Sequence, residues 1–174
     1  MSLLEKNNST PSSEFEENLE LLRQIYFFSG LPLETLKVFA YLCSREKFKQ
    51  DEYIFSQDED DGQAFYIISG QARLERRDNG ETIGVREYKT GEFIGGLTLL
   101  GETKRLFSLK SATETTCLVL NREKFSKTME QFPGLLAKIF NAVAKSIDTW
   151  EERFLSNRGD QCGECLNQLG VTLI

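Results

Sequence analysis

The spacing of apolar residues divides the chain into a helical start, an alternating middle and a helical end. Ser13 and Glu16 match a capping box, and the apolar residues that follow recur at three- and four-residue intervals, which predicts a helix. A second helix is predicted from Leu33. The apolar positions are Phe15, Leu19, Leu22 and Tyr26 in the first helix and Leu36, Phe39, Ala40 and Cys43 in the second.

From Glu46 onwards the apolar residues alternate in short runs separated by turn residues, which is typical of an antiparallel roll or barrel. Asp78-Asn79-Gly80 is the strongest hairpin signal in the chain. Further strands are predicted near residues 106–112 and 116–120. The apolar positions of the first runs are Phe48, Tyr53, Phe55, Phe65, Ile67, Ala72, Leu74, Ile83 and Val85.

The C-terminal part returns to helical spacing. A short helix is predicted from Arg122 to Gln131 and a long one from residue 133 to 157, with Pro133 in its first turn. One apolar stripe of the long helix has coiled-coil spacing and predicts a homodimer interface. The alternative is a helix packed only on its own roll. The interface positions are Leu136, Phe140, Val143, Ile147, Trp150 and Phe154, and a second stripe of Leu135, Ile139 and Ala142 is predicted to face the roll.

These elements predict an α+β fold that is mainly β. An antiparallel β-roll, of the double-stranded β-helix or jelly-roll kind, is flanked by N-terminal helices and a long C-terminal helix. With 174 residues, 40% of them hydrophobic, the chain can bury one core. We expect one domain at 14–157, with a flexible tail at 1–13 and a second tail at 158–174.

The segment from Gly91 to Arg105, called the cassette below, holds four glycines in an otherwise apolar run. Glycine lets backbone amides approach a ligand closely, so Gly95 and Gly96 are predicted to open a short helical turn that binds an anion. Arg105 would supply a bidentate charge for a phosphate. The plainer interpretation is a corner of the roll with Arg105 as a surface charge.

Composition argues against several classes of function. A net charge of −6 lacks the basic patch that nucleic acid requires. The chain has no histidine, the commonest general base and metal ligand, so neither an enzyme nor a metalloprotein is expected. No apolar run is long enough to cross a membrane and no secretory signal is present, so we expect a cytoplasmic protein without a membrane partner.

The four cysteines and an acidic run carry weaker signals. Cys43 and Cys117 lie in apolar surroundings and are expected in the core. Cys162 and Cys165 could form a redox pair or half of a zinc site, but a single pair without histidine is weak support. The run Asp58–Gly62 begins like a calcium loop yet has Ser69 where the bidentate glutamate belongs, so a solvated acidic turn is expected.

The order of elements and the cassette resemble a cyclic-nucleotide-binding domain over about residues 25–157. In that family the cassette reads approximately Gly-[Asp/Glu]-Phe-x-Gly-Glu-Leu-[Ala/Gly]-Leu, and an arginine that binds the phosphate follows. The run Gly91–Leu99 fits all but one constrained position, and Arg105 stands where that arginine belongs. The resemblance implies a site for cyclic AMP or cyclic GMP formed by Phe93, Ile94, Gly95, Gly96, Leu97, Thr98, Arg105 and Leu106.

Two departures change what the resemblance implies. Gly96 replaces the family's glutamate, which accepts a hydrogen bond from the ribose 2′-hydroxyl, and Leu106-Phe107 follows Arg105 where many members have a small residue. The implied function is a dimeric, non-enzymatic sensor without a resident cofactor, which binds cyclic nucleotide weakly and signals to a protein partner by helix rearrangement. The alternative is a ligand-free dimeric interaction module. A ligand screen repeated on Gly96→Glu is the natural test.

Overall fold

The computed structural model of the chain describes residues 13–156. Helix α1 (Glu14–Gln24) begins with the predicted capping box. The Ser13 hydroxyl accepts a hydrogen bond from the Glu16 amide at 3.3 Å, and the Glu16 carboxylate accepts one from the Ser13 amide at 3.1 Å. This reciprocal pair satisfies two amides that the first helical turn would otherwise leave unbonded.

A short 3₁₀ segment, the aromatic turn (Tyr26–Phe28), follows α1 and leads to α2 (Leu33–Leu42). The expectation that Tyr26 continues the apolar stripe of the first helix is wrong, because α1 ends at Gln24 and the chain then turns. Tyr26 is 51% exposed, whereas Phe27 and Phe28 are buried. The turn therefore sends two aromatic rings into the core.

Eight antiparallel strands form the roll, in two four-stranded sheets with the orders β1-β8-β3-β6 and β2-β7-β4-β5. The predicted Asn79-Gly80 hairpin joins β4 to β5, and both turn residues have positive φ. The strands are β1 (Ser44–Phe48), β2 (Tyr53–Phe55), β3 (Gln63–Ser69), β4 (Gln71–Asp78), β5 (Glu81–Lys89), β6 (Phe93–Ile94), β7 (Ser108–Ser111) and β8 (Thr115–Asn121).

Strand β3 separates two apolar clusters, because alternate side chains point to opposite faces of a sheet. Phe65 and Ile67 belong to the cluster inside the roll. Ala64 and Tyr66 belong to the second cluster, which the helices cover. The first sheet is thus buried on both faces, and the cassette, whose β6 pairs with β3, lies at its edge.

The first C-terminal helix begins where the apolar pattern predicts, whereas the long helix begins at Leu136, after a 3₁₀ turn, and not at Pro133. Helix α3 (Arg122–Gln131) is capped by the Asn121 side chain, the 3₁₀ turn Pro133–Leu135 follows, and α4 (Leu136–Ser156) is the longest helix of the described chain. Ile139 is buried in the helix-side cluster, Leu135 packs partly against it, and Ala142 is buried as well. The second stripe thus faces the protein's own domain, where α4 contacts the aromatic turn.

The predicted dimer stripe of α4 is divided. Leu136, Phe140 and Trp150 are 37%, 53% and 58% exposed, whereas Val143 and Ile147 are half-buried and line a cavity beside the cassette. The side chain of Phe154, the tail at 158–174 with Cys162 and Cys165, and the N-terminal tail before Ser13 lie outside the described residues. The dimer itself stays a prediction.

Candidate functional site

The cassette forms the short helical turn that its glycines predict. After β6, Gly95 adopts a left-handed φ of 84°, and a 3₁₀ turn runs from Gly96 to Leu99. The Thr98 hydroxyl lies 2.7 Å from the carbonyl oxygens of both Gln63 and Gly95 and can donate to either. Thr98 therefore ties this turn, the cassette turn, to the first residue of β3.

Arg105, the predicted phosphate-binding residue, is buried and already bonded to a carboxylate. Its side chain is 6% exposed. Its Nη2 group donates to Asp61 Oδ1 at 2.7 Å and its Nε group to Asp61 Oδ2 at 3.3 Å, a bidentate pair. Nη2 also donates to the Gln63 carbonyl, and the guanidinium lies 4.1 Å from the centre of the Phe55 ring. The interpretation of Arg105 as a surface charge is wrong.

Gly95 leaves room for that guanidinium. A Cβ atom at this position would lie 2.6 Å from Arg105 Nη1 and 3.0 Å from the Gln63 carbonyl oxygen. The left-handed φ is a second reason for glycine, since side chains disfavour that conformation. The sequence pattern assigned Gly95 to ligand contact, and in the structure its first neighbour is Arg105.

Gly96 occupies the position at which the family has a glutamate, and aromatic rings pack closely against it. A Cβ atom there would lie 2.9 Å from Phe27 Cδ2 and 2.9 Å from Phe93 Cε1. The Phe27 ring packs against Phe28, Phe93 and Phe125 with ring centres 5.1, 5.7 and 6.0 Å apart. The aromatic turn therefore occupies the space that the Cβ atom of any side chain at position 96 would need.

The acidic run at 58–62 is exposed at residues 58–60, as the sequence predicts, but two of its aspartates also hold arginines. Asp61 binds Arg105, and Asp60 forms a bidentate pair with Arg122, the first residue of α3. The hydrogen bond from the Arg122 side chain lowers the pKa of Asp60 below its usual value. The run is better described as an acidic clamp.

Arg122 extends the clamp to the cassette. Its Nε group donates to the Thr98 carbonyl oxygen at 2.6 Å, and its backbone amide donates to the Gly62 carbonyl at 2.7 Å. One guanidinium thus joins the acidic clamp, the cassette turn and the start of α3. Sequence patterns missed the parts that Asp60, Asp61, Phe27 and Arg122 take in the site.

The other predicted ligand residues do not all face one space. Phe93, Gly96 and Leu97 line one cavity outside the roll, where Phe93 packs with Phe27 and Phe28. Ile94 packs inside the roll, and Leu106 is 66% exposed. The structure therefore brings Gly95, Thr98 and Arg105 together in one group and Phe93, Gly96 and Leu97 in another.

The described cysteines have no marks of reactivity. Burial raises the pKa of Cys43 and of Cys117 to about 12, so both thiols stay protonated near neutral pH. Among residues 13–156 no group of three or more acidic, histidine or cysteine side chains is placed to hold a metal ion. No helix in that part of the chain has the length and hydropathy needed to cross a membrane.

Replacing Arg122 by lysine is expected to loosen the cassette turn without unfolding the domain. An ammonium group has all its donors on one nitrogen and cannot reproduce the planar guanidinium, whose two Nη groups bond Asp60 while Nε bonds the Thr98 carbonyl. Hydrogen exchange should speed up at the amides of 96–100 and in the first turn of α3. Arg86→Lys, which alters an exposed pair with Glu92, is the control and should leave those amides unchanged; equal effects would contradict a clamp.

An antiparallel roll with a glycine cassette set between N-terminal helices and a C-terminal helix pair defines a class of small regulatory domains. A family model described as "Cyclic nucleotide-binding domain" matches residues 45–132. The chain belongs to this family.

The proteins similar to this chain include a kinase regulatory subunit, a catabolite activator protein and a domain of a transcriptional regulator. A cAMP-dependent protein kinase regulatory subunit of Emericella nidulans is 34% identical over 119 residues, which is 67% of this chain and 28% of the relative. The catabolite activator protein of Thermus thermophilus superposes with a TM-score of 0.62 at 25% identity, over 76% of this chain and 62% of that one. The N-terminal domain of a transcriptional regulator from Streptomyces coelicolor gives 0.67 at 18% identity, over 82% and 97%.

Proposed function

We propose that this chain is a dimeric regulatory domain that binds cyclic nucleotide weakly, because Asp61 occupies the phosphate-binding arginine. The observation that carries the proposal is the buried bidentate pair between Arg105 and Asp61. A phosphate and a carboxylate bond a guanidinium in the same way, so a phosphate that bonds Nε and Nη2 must displace Asp61. We call the roll latched when this pair is intact.

Two free-energy costs lower the affinity of the latched roll for a cyclic nucleotide. The first is the cost of breaking the pair with Asp61. The second is the missing carboxylate at Gly96, since a hydrogen bond to a charged group contributes about 1.5–3 kcal/mol, or one to two orders of magnitude in affinity. Cyclic AMP and cyclic GMP are therefore expected to bind much more weakly here than to relatives with the family's glutamate and a free arginine.

The acidic clamp provides a route for output. Asp61 and Asp60 are adjacent, and Asp60 holds Arg122 at the start of α3. A ligand that displaces Asp61 from Arg105 moves the same turn that anchors α3. Because a ligand shifts an equilibrium only by its differential affinity for the two states, output through α3 and α4 depends on how strongly the ligand prefers the unlatched roll. We infer a cytoplasmic protein partner as the receiver.

The relatives support a regulatory role. The Emericella relative is a kinase regulatory subunit, and this chain spans less than a third of that relative's length, so the whole protein's partner is itself a proposal. The second candidate function is a ligand-free dimeric interaction module. The pair between Arg105 and Asp61 favours it, as do the rings of Phe27 and Phe93 that pack against Gly96.

Calorimetry with cyclic AMP and cyclic GMP at millimolar concentration separates the two candidates. Weak, saturable heat supports the latched sensor, provided that it disappears in the double variant Asp61→Ala/Arg105→Ala. The double variant removes both charges, so neither is left buried without a counter-charge. Absence of heat from the wild-type chain, with its fold verified by circular dichroism, would establish the interaction module instead.

Phe140→Asp is expected to shift the chain from dimer to monomer. Phe140 is 53% exposed on the α4 stripe, and a carboxylate at an apolar interface would be buried without a partner. Sedimentation velocity measures the change. Asn141→Asp adds the same charge at the next, exposed position, which lies away from the stripe, and should leave the dimer intact. A monomeric wild-type chain would contradict the proposed interface.

A further inference from the structure

A cavity of about 320 Å³ lies outside the roll, between the aromatic turn, the cassette turn and α4. Its walls include Tyr26 and Phe27 from the aromatic turn, Leu97 from the cassette turn, and Val143, Ser146 and Ile147 from α4. Its volume is at the lower end of the range of about 300–1,000 Å³ that small-molecule sites occupy. The latch between Asp61 and Arg105 contributes nothing to its walls.

The position of the cavity follows from the way α4 leaves the domain. Ile139 is buried in the helix-side cluster, and Ala142 is buried beside the cavity. Ser146, one turn further along the same face, is exposed and lines the cavity. The face by which α4 packs on the domain therefore continues from Ile139 and Ala142 over an open space.

The chemistry of the walls specifies an uncharged ligand. The residues that line the cavity include no acidic or basic side chain, so an ionised ligand would lose its hydration without gaining a counter-charge. Phe27 and Tyr26 offer aromatic surfaces, and the hydroxyl-bearing residues are Tyr26 and Ser146. Leu97 and Tyr26 are 58% and 51% exposed, so a bound molecule would cover apolar surface that is now in water.

We propose that this cavity is a second ligand site, which takes a small uncharged aromatic molecule and wedges α4 against the cassette turn. Such a ligand contacts Leu97 of the cassette turn and Val143 and Ile147 of α4 at once. It would therefore stabilise one position of the long helix relative to the cassette. Arg105 and Asp61 do not line this cavity, so absence of cyclic-nucleotide binding at Arg105 would leave the second site standing.

The test uses the full chain with methyl-labelled leucine and valine, titrated with indole as the probe. Saturable shifts are expected at the methyl groups of Leu97 and Val143. Leu109, buried inside the roll, and Leu100, which lines a separate groove against α3, are the internal references and should not move. No saturable shift, or shifts centred on Leu109 or Leu100, would overturn the proposal.

Ser146→Trp is designed to fill the cavity from an exposed position, so no core residue is lost. It should weaken indole binding by about tenfold or more, a difference that titration measures readily. Lys145→Trp places the same ring on the neighbouring exposed residue, which does not line the cavity, and should bind indole like the wild type. Equal weakening in both variants would refute the site.

One further measurement distinguishes a ligand site from a contact between copies. If the Leu97 methyl signal shifts with protein concentration in the absence of indole, a second copy of the chain covers the cavity and the proposal fails. Constant shifts across protein concentrations, with the response to indole retained, support the ligand site.

Discussion

Replacing Asp61 by asparagine is expected to strengthen the binding of cyclic AMP by about one to two orders of magnitude, the range of a charge-assisted hydrogen bond. In the wild-type chain the carboxylate holds both Nε and Nη2 of Arg105. Asparagine keeps one acceptor oxygen but no charge. A phosphate would therefore compete with a weaker hydrogen-bond acceptor for the Arg105 guanidinium. Calorimetry on the two chains measures the difference directly.

Asp60→Asn is the matched control, since it removes the same charge from the adjacent residue and releases Arg122 instead of Arg105. It should leave the affinity nearly unchanged. If both variants bind cyclic AMP equally better than the wild type, the gain comes from a lower negative charge around an anionic ligand, and the latch is refuted.

The Asp61→Asn variant should also be less stable. Removing one partner of a buried ion pair costs about 3–5 kcal/mol when the remaining charge has no substitute. Asparagine retains an acceptor, and the Gln63 carbonyl and Phe55 ring still contact Arg105, so the loss should be smaller than this. Urea denaturation measures it, and a gain in affinity together with a loss in stability is the signature of a latch.

Gly96→Glu is expected to destabilise the domain and to leave cyclic-nucleotide binding weak. The new Cβ would lie 2.9 Å from carbon atoms of Phe27 and Phe93. Overpacking of this kind costs about 1–3 kcal/mol. The sequence alone suggests that this substitution would restore the family's site, whereas the packing predicts that it will not.

Gly101→Glu is the control for this substitution, because a Cβ at Gly101 has no neighbour within 4 Å. It should unfold at nearly the same urea concentration as the wild type. The second arm is Phe27→Ala, which removes the ring that crowds position 96. If the aromatic closure is the cause, Gly96→Glu should be less costly in the Phe27→Ala background, a positive coupling in a double-mutant cycle. Additive losses would contradict it.

The extent to which sequence predicted the site depends on the range of the interactions. The turn at Gly95–Leu99 was predictable, because glycine acts on its own backbone. The partner of Arg105 was not, since Asp61 lies 44 residues away along the chain. Phe27 illustrates the same limit: its apolar character indicated burial, but nothing local indicates that its ring covers Gly96.

The sequence by itself determined the class of fold, the helix and strand order, the hairpin at Asn79-Gly80, and the position of an arginine in a glycine cassette. These features depend on periodicity, capping and turn chemistry, which act over a few residues. Only the tertiary structure decided that Arg105 is bonded to Asp61, that Gly96 is closed by the aromatic turn, and that α4 leaves a cavity beside Leu97. The physical reason is that each of these features joins segments that are distant in the chain. Packing and charge pairing between such segments decide what a cassette that resembles the family's can bind.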